Sequence, residues 1–385
     1  MSRLAQRAAQ GIAQCTEADL PELREFREQM YPYQSVDQLP AASFEWLSRT
    51  NPNTSPESTG IWICRRDGRI VGEQAELSFS LKVADEHLRA ATAIELMVDP
   101  EWRLRGVGPA LSEVQRKGVR VACALWMSDA AYRLYQRSGW IDLGEVPHRV
   151  LFVSPLGVLR NVATTKRRIA TLAVLPVAAM MCAYVAVRAR IRVRGTRLVE
   201  TDAFDERADE IWSEASSSYA VIAHRDLQSL RWRFDECPYA RHYRRFYLFR
   251  GARPVGYLVV RPGRSRRVPI LKVVDYLAPP ATVPVLLAHT VRLARRQSAA
   301  LVEITTRDRL TSRRLTRLGF MPVEKVERWR GETTGVRFMV SVEDDDPIRE
   351  IVTTPGAWFV TTADGDLDLA EFSQEPAASA TGAGR

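Results

Sequence analysis

The chain has 385 residues, too many for one compact domain of ordinary size, so two domains of roughly 150 residues with connections are expected. Hydrophobic residues make up 46% and charged residues 26%, a balance that excludes a disordered or fibrous chain and allows a buried core. The formal charge of +9 invites nucleic acid or an anionic surface, but residues 156–200 carry nine basic side chains against the single acid Glu200, so that one stretch holds nearly all of it. The stretch has no aromatic residue except Tyr184, which argues against nucleic acid as a partner. The five cysteines are scattered and form no C-x-x-C pair, and the histidines show neither H-x-x-x-H nor H-E-x-x-H spacing. A reduced, cytoplasmic protein without a metal site is expected, and the N-terminus "MSRLAQRAAQGIAQC" lacks the apolar core of a signal peptide.

In chain order, "GIAQCT" reads as a short strand, and Thr16 with Asp19 opens an amphipathic helix over "TEADLPELREFREQMY". The aromatic cluster Tyr31 to Tyr33 follows, read more readily as a Pro-turned corner than as the wall of a pocket. A second helix covers "AASFEWLSR", and "TNPNTSPESTG" reads as loop. Asp67-Gly68 then sits between two strand-like runs, a hairpin signal. Strand "TAIELMV", loop "DPEWRLRGV", helix "GPALSEVQRKG", strand "VACALWM" and helix "DAAYRLYQRSG" follow, with strands around "WIDLGEV" and "HRVLFVS". The alternation predicts an α/β fold of mixed, α+β-type layers.

The loop at 98–109 carries the chemistry. Gly106 and Gly108 straddle a helix start, and Pro109 suits a first turn because its missing N–H is one that a helix start cannot use. Free backbone amides and the positive end of the helix dipole attract an anion there, and Arg103 and Arg105 add forked donors for phosphate oxygens. The residues describe a pyrophosphate cradle. They are not a P-loop, since G-x-x-x-x-G-K-[ST] is absent, and Leu111 breaks the dinucleotide-binding pattern.

These residues resemble the GNAT superfamily of acyl-CoA-dependent N-acyltransferases, whose signature R-x-x-G-x-G/A follows a strand ending in V-x-P. "VDPEWRLRGVG" matches it at Arg103, Gly106 and Gly108, and "SDAAYRLYQRSGW" matches a second element at Ala131, Leu134, Tyr135 and Gly139. Ser128 stands where the family has Asn, and Trp140 where it has Phe. The resemblance covers roughly residues 10–155. It implies an enzyme that transfers an acetyl or other acyl group from acyl-CoA to a primary amine of a small molecule or amino sugar by direct attack, with acetyl-CoA as co-substrate. It further implies a cofactor site of Val98, Arg103, Arg105, Gly106, Val107, Gly108 and Pro109, with Tyr135 as the acid for the departing thiolate. Packing of the Tyr135 ring between helix and sheet is an equal reading. Glu95, between Ile94 and Leu96, is the candidate base, with Glu73 and Glu76 as rivals; partial burial would raise the pKa of each, and a polar strand face is the plainer account.

Residues 169–187 run for 19 positions without a charge, near the length of a membrane span, but Pro176 interrupts them and basic residues flank both ends. An interdomain helix is favoured over a membrane segment, with peripheral membrane-surface contact through 160–194 left open. "RARIRVRGTRLVE" alternates with period two and predicts a strand. The second half then repeats the order of the first, and "LRWRFDECPYARHYRRF" with "GYLVVR" is similar to tandem GNAT-like bacterial proteins, some tied to cell-surface polysaccharide or lipid-linked synthesis. The expected organisation is a GNAT domain at 1–155, a basic and apolar connector at 156–196, a degenerate GNAT-like domain at 197–345 and a flexible tail at 346–385. Degeneracy follows from the second loop: Ala278, Pro279, Pro280 and Ala281 replace the arginines and glycines, and Leu315 stands where Tyr135 does. A non-catalytic scaffold, at a membrane or elsewhere, is the competing reading of the whole chain.

Overall fold

The computed structural model describes residues 10–30, 41–55, 58–157, 175–265, 268–323 and 336–370. Strand β1 (Ile12–Gln14) leads to a capping box between Thr16 and Asp19, then to α1 (Leu20–Met30). The Asp67-Gly68 signal is met: both residues have positive φ, 50° and 78°, and join β2 (Ile61–Arg66) to β3 (Arg69–Val83) in a tight hairpin. β4 (Glu86–Val98) pairs with β3, and after the loop come α2 (Val107–Lys117), β5 (Val121–Leu125), α3 (Asp129–Arg137), β6 (Ile141–Val146) and β7 (His148–Phe152).

Only Pro147 separates β6 from β7, and one residue cannot reverse a chain that needs at least two for a hairpin. The chain therefore runs straight on, and β7 leaves the first half. It pairs antiparallel with β13 (Leu301–Arg307) and with β14 (Met321–Pro322) of the second half. In return β15 (Val336–Ser341) crosses back and lies between β5 and β6. Each half thus completes the sheet of the other.

The second half contains α4 (Leu175–Arg192), β8 (Thr196–Thr201), α5 (Arg207–Ala215), β9 (Val221–Ala223), β10 (Arg244–Arg250), β11 (Arg253–Ser265), β12 (Val268–Leu277), α6 (Val283–Arg296) and α7 (Ser312–Leu318). The period-two stretch from Arg188 is not all strand: it remains helical to Arg192, because Val185, Ala189 and Val193 bury one stripe, and Gly195 at φ 73° ends the run before β8. Among the described residues no helix is long and apolar enough to cross a membrane.

The expected flexible tail is a second departure, since residues 346–370 are built into the molecule. Arg120 grips Asp346 at 2.7 Å, Arg116 meets Glu343 at 3.1 Å, and the buried Trp358 donates its indole N–H to Val352 O at 2.8 Å. The acidic run is a docking sequence for basic side chains far away in the chain, which composition alone cannot reveal. Strand β16 (Trp358–Thr361) pairs with β9 and with β13, and β9 in turn pairs with β3, so the described strands form one sheet through both halves.

A tryptophan pair closes the junction. Trp46 and Trp232 stack with ring centroids 4.8 Å apart, and each indole N–H donates to the backbone carbonyl of the other residue at 2.9 Å. Trp232→Ala removes a buried ring and leaves the Trp46 carbonyl without its indole donor, so denaturant melts should show a loss of about 3–5 kcal/mol. The wild-type chain should unfold in one transition, because neither half owns a complete sheet; two separated transitions in calorimetry would contradict the exchange.

Candidate active site

β4 and β5 run parallel only from Ala90–Ala93 against Val121–Ala124. Beyond that β4 bulges: the register jumps from Glu73↔Met97 to Ala75↔Ile94, with Glu95 at φ 53°, and β5 gives way to Trp126 at φ 57°. The two strands part, and a gap opens between Ile94–Val98 and Leu125. The ladder to β3 is made next door, by Asp99 N–H to Val71 O at 2.9 Å, so the N–H and C=O of Val98 turn toward the gap.

The loop on one side of this gap is built to meet an anion. Asp99 caps a 3-10 turn at Pro100–Trp102, accepting from Glu101 N–H at 2.8 Å. Leu104 then takes φ 61° and Gly106 φ 87°, and Gly106 becomes the N-cap of α2 with no side chain over it. Ala110 N–H is used by Gly106 O, and Pro109 has no N–H, so the amides of Val107 and Gly108 are those left at the helix start. Arg105 lies over the Trp102 ring at 5.1 Å, and Arg103 Nε donates to Val98 O at 3.1 Å, which holds both guanidinium groups at the mouth of the gap. Gly108 also lies against α3: a Cβ there would stand 2.9 Å from Leu134 Cδ1, so the Leu134 side chain would have to shift to admit one.

On the same face Tyr135 is buried, its ring 4.6 Å from that of Trp140 in a cluster with Ala93, Ala122, Ala124 and Met339. Packing and chemistry are not exclusive here, because the hydroxyl lies beside the Gln74 carboxamide; burial, with the charge of Asp366 second, pushes the phenol well above its ordinary value. Gln74 donates to Ile94 O at 2.8 Å and Ala75 O at 3.0 Å, while its buried Oε1 has no partner among the described residues. A narrow gap with an orphaned acceptor inside and an uncapped helix start at its mouth fits an elongated ligand with amide N–H groups at one end and phosphate at the other. Ser128, in place of the family Asn, caps α3 by accepting from Ala131 N–H at 3.2 Å.

The opposite face of the gap is ionic. Glu73 is not a free base, since Arg27 of α1 holds both of its oxygens, through Nε at 2.9 Å and a second, shorter bond. Glu76 faces away, bonded to Ser78 at 2.7 Å and to Gln115 of α2. Glu95 is half-buried on this side, and its charge is felt by Arg27 and by Tyr239 of the second half. The Tyr31 to Tyr33 cluster lies outside the described residues.

What the sequence reading missed is the segment after β16. Thr92 Oγ1 on β4 donates to Asp364 O at 2.7 Å, and Gly365 lies so close to β5 that a Cβ would stand 3.2 Å from Leu125 Cδ2. Arg233 binds Ala363 O at 3.1 Å, Gly365 O at 3.2 Å and Asp368 Oδ1 at 2.8 Å, and Tyr243 closes on the other oxygen of Asp368. Asp366 is thereby delivered to the gap between Glu95 and Tyr135. The signal was present in "WRFD" and "DGDLD", but the pairing spans 130 residues of chain and more.

Solved structures share this architecture over most of the chain. A GCN5-related N-acetyltransferase from Kribbella flavida is 15% identical with a TM-score of 0.54, covering 92% of this chain and 81% of that one. A probable N-acyltransferase from Enterococcus faecalis is 11% identical with a TM-score of 0.53, covering 86% and 71%, and Saccharomyces cerevisiae N-myristoyltransferase with bound myristoyl-CoA is 10% identical with a TM-score of 0.50, covering 86% and 82%. The chain has the GNAT fold. No protein-family model and no curated protein matches the sequence.

The second half also has a parallel pair, Ile270–Val273 against Leu301–Ile304, but the opening beyond it is filled. β16 pairs with β13 through Thr306 and Arg307, and Thr306 Oγ1 donates to Val360 O at 2.9 Å. At the loop Pro279 O takes the N–H of Thr282 at 2.7 Å, and Arg314 covers Pro280 O. Leu315 is the counterpart of Tyr135 in backbone terms too: Phe320 N–H bonds Leu315 O, and Trp140 N–H bonds Tyr135 O, both at 3.1 Å.

Proposed function

We propose that the first half transfers an acyl group from acyl-CoA to a primary amine by direct attack, and that the second half shapes the acceptor side. The observation that carries this is the β4–β5 gap, with an anion-binding helix start and Tyr135 on one face and carboxylates on the other. Val107 and Gly108 amides, with Arg103 and Arg105, would hold the pyrophosphate; Val98 N–H and Gln74 Oε1 would meet the pantetheine arm. CoA supplies a thioester, and the residues of the chain orient it, keep water from it and manage protons. Tyr135 protonates the departing thiolate. A short acyl group such as acetyl fits the small alanines, Ala93, Ala122 and Ala124, packed around the Tyr135 ring. An acceptor amine, of a small molecule or amino sugar, enters from the side of Arg27, Glu95 and Tyr239. The solved neighbours named for acyl transfer support the fold of this reading, and the site supports its chemistry.

Gly106→Glu places an anion where the pyrophosphate would sit, in a backbone conformation that suits only glycine. Calorimetry should give one CoA per chain for the wild type and none for the variant; two equivalent sites, or a surviving one, would contradict the cradle. Tyr135→Phe keeps the ring and loses the proton donor. Thiol release from acetyl-CoA with a panel of amines and amino sugars should fall about 10²–10⁴-fold, and no release from the wild type with any acceptor would favour the scaffold reading.

A specific observation favours membrane-surface contact as an additional property. α4 buries only Ala178, Cys182, Val185 and Ala189, while Val177, Met180, Met181, Tyr184, Val187 and Ile191 are exposed beside Arg188, Arg190, Arg192 and Arg194. An apolar face next to a cationic end suits an anionic lipid surface rather than a neutral one. The chain should float with phosphatidylserine vesicles and not with phosphatidylcholine vesicles, and Met180→Glu should weaken the association. Equal recovery with both vesicle types, or a dimer formed through this face, would count against it.

A further inference from the structure

We propose that Asp366, brought into the β4–β5 gap by the C-terminal segment, is the group that takes the proton from the acceptor ammonium. The assignment rests on the acyl-transfer reading above and names a residue which that reading leaves unspecified.

Three aspartates of one short stretch are sorted by their partners. Asp364 is held by Arg225 at 2.8 and 3.0 Å, and Asp368 by Arg233 and Tyr243. Asp366 has no hydrogen-bond or ion-pair partner on another residue among the described residues, its own backbone N–H being the one donor to its carboxylate, although it lies between them. Its backbone has no freedom to carry it away. Thr92 of β4 fixes the residue two before it, Arg233 the carbonyl before it and the carboxylate two after it, and Leu125 of β5 walls the intervening glycine.

The other acceptor-side carboxylates are engaged differently. Burial raises the Glu73 carboxyl against the pull of Arg27, but Arg27 holds both of its oxygens, so neither is free to meet an amine. Glu95 instead acts on Asp366. Burial is the largest cause and the charge of Glu95 the next, with Asp368 adding, while its own backbone N–H and Arg233 oppose; together they push the Asp366 carboxyl up to about 8. A base of that strength is matched to an amine near neutral pH, where an ordinary carboxylate is too weak. Tyr135 feels the charge of the same carboxylate, which sets the acid and the base of the reaction near one another.

The steps balance as follows. Asp366 carboxylate takes one proton from R–NH₃⁺ and passes it to water. The freed lone pair forms the N–C bond at the thioester carbonyl, the C–S bond breaks with its electrons on sulfur, and Tyr135 protonates the thiolate. The extra proton left on nitrogen restores the phenol through solvent.

The test uses the full chain, with acetyl-CoA and the amine panel. With the raised carboxyl, the active form of the base is the ionised one, so wild-type kcat/KM should climb with pH and level off above about 8. Asp366→Asn should lose that limb and about 10²–10⁴-fold in rate, with CoA affinity within twofold of wild type. Glu95→Gln removes the repelling charge, so its limb should move to lower pH. Carboxyl ¹³C titration, with Asp366 assigned by difference against the Asn variant, provides a readout that needs no acceptor. An Asp366 signal that titrates with the ordinary carboxylates, or an Asn variant with an unchanged limb, overturns the assignment alone. Absence of CoA binding by the wild type overturns the acyl-transfer reading itself.

Discussion

The structure depends on a single residue's worth of connection between β6 and β7. Because Pro147 cannot turn the chain, β7 must find its partners in the other half, and β15 must return to fill the place it left. Pairing of this kind joins residues hundreds of positions apart, so it forms late and holds the two halves in one folding unit. It also sets the gap. β15 braces β5 along Ala122–Leu125, and its Arg337 carbonyl receives Trp126 N–H at 3.1 Å at the point where β5 turns from β4.

The openings of the two halves differ through the same length of chain. In the second half β16 is built into the opening, and the polar groups behind it are satisfied internally: Asp275 by Tyr257 and Thr361, Asp308 by Tyr276 and Thr311. A few residues later the chain reaches the first gap but enters it from one face, leaving the cradle and the tyrosine side untouched. The opening of the second half is therefore closed by β16, while that of the first remains a space between strands. Buried charges such as Arg225 and Arg233 are tolerated at this junction because each has an aspartate and backbone carbonyls around it.

Local features were legible in the sequence, and long-range ones were not. The Asp67-Gly68 hairpin, the Thr16–Asp19 box and the helix start at Gly106 are each fixed by the conformational needs of a few adjacent residues. Arg103, Arg105, Gly106, Val107 and Gly108 lie together at the start of α2. Gly108 also lies against Leu134 of α3. The period-two arginines after Val187 misled because α4 packs by only one stripe, so its other positions carry no helical pattern. The acidic run and the stretch to Asp368 read as solvated because their partners, Arg116, Arg120, Arg225 and Arg233, lie far off in sequence. One long-range signal was present and unread: Trp46 precedes Pro52 at the same spacing as Trp232 precedes Pro238, marking the two stacked indoles.

The segment anchored by Arg233 has a consequence for when the protein can work. The walls of the gap are drawn from Arg27 near one end of the described chain to Asp368 near the other. During synthesis, the loop and helices of the first half emerge from the ribosome long before the strand that braces β5 and the aspartates that Arg225 and Arg233 hold. A partly made chain can display the helix start at Gly106 but lacks the far wall of the gap. Emergence of the segment through Asp368, rather than folding of the first half, is the event that completes the gap.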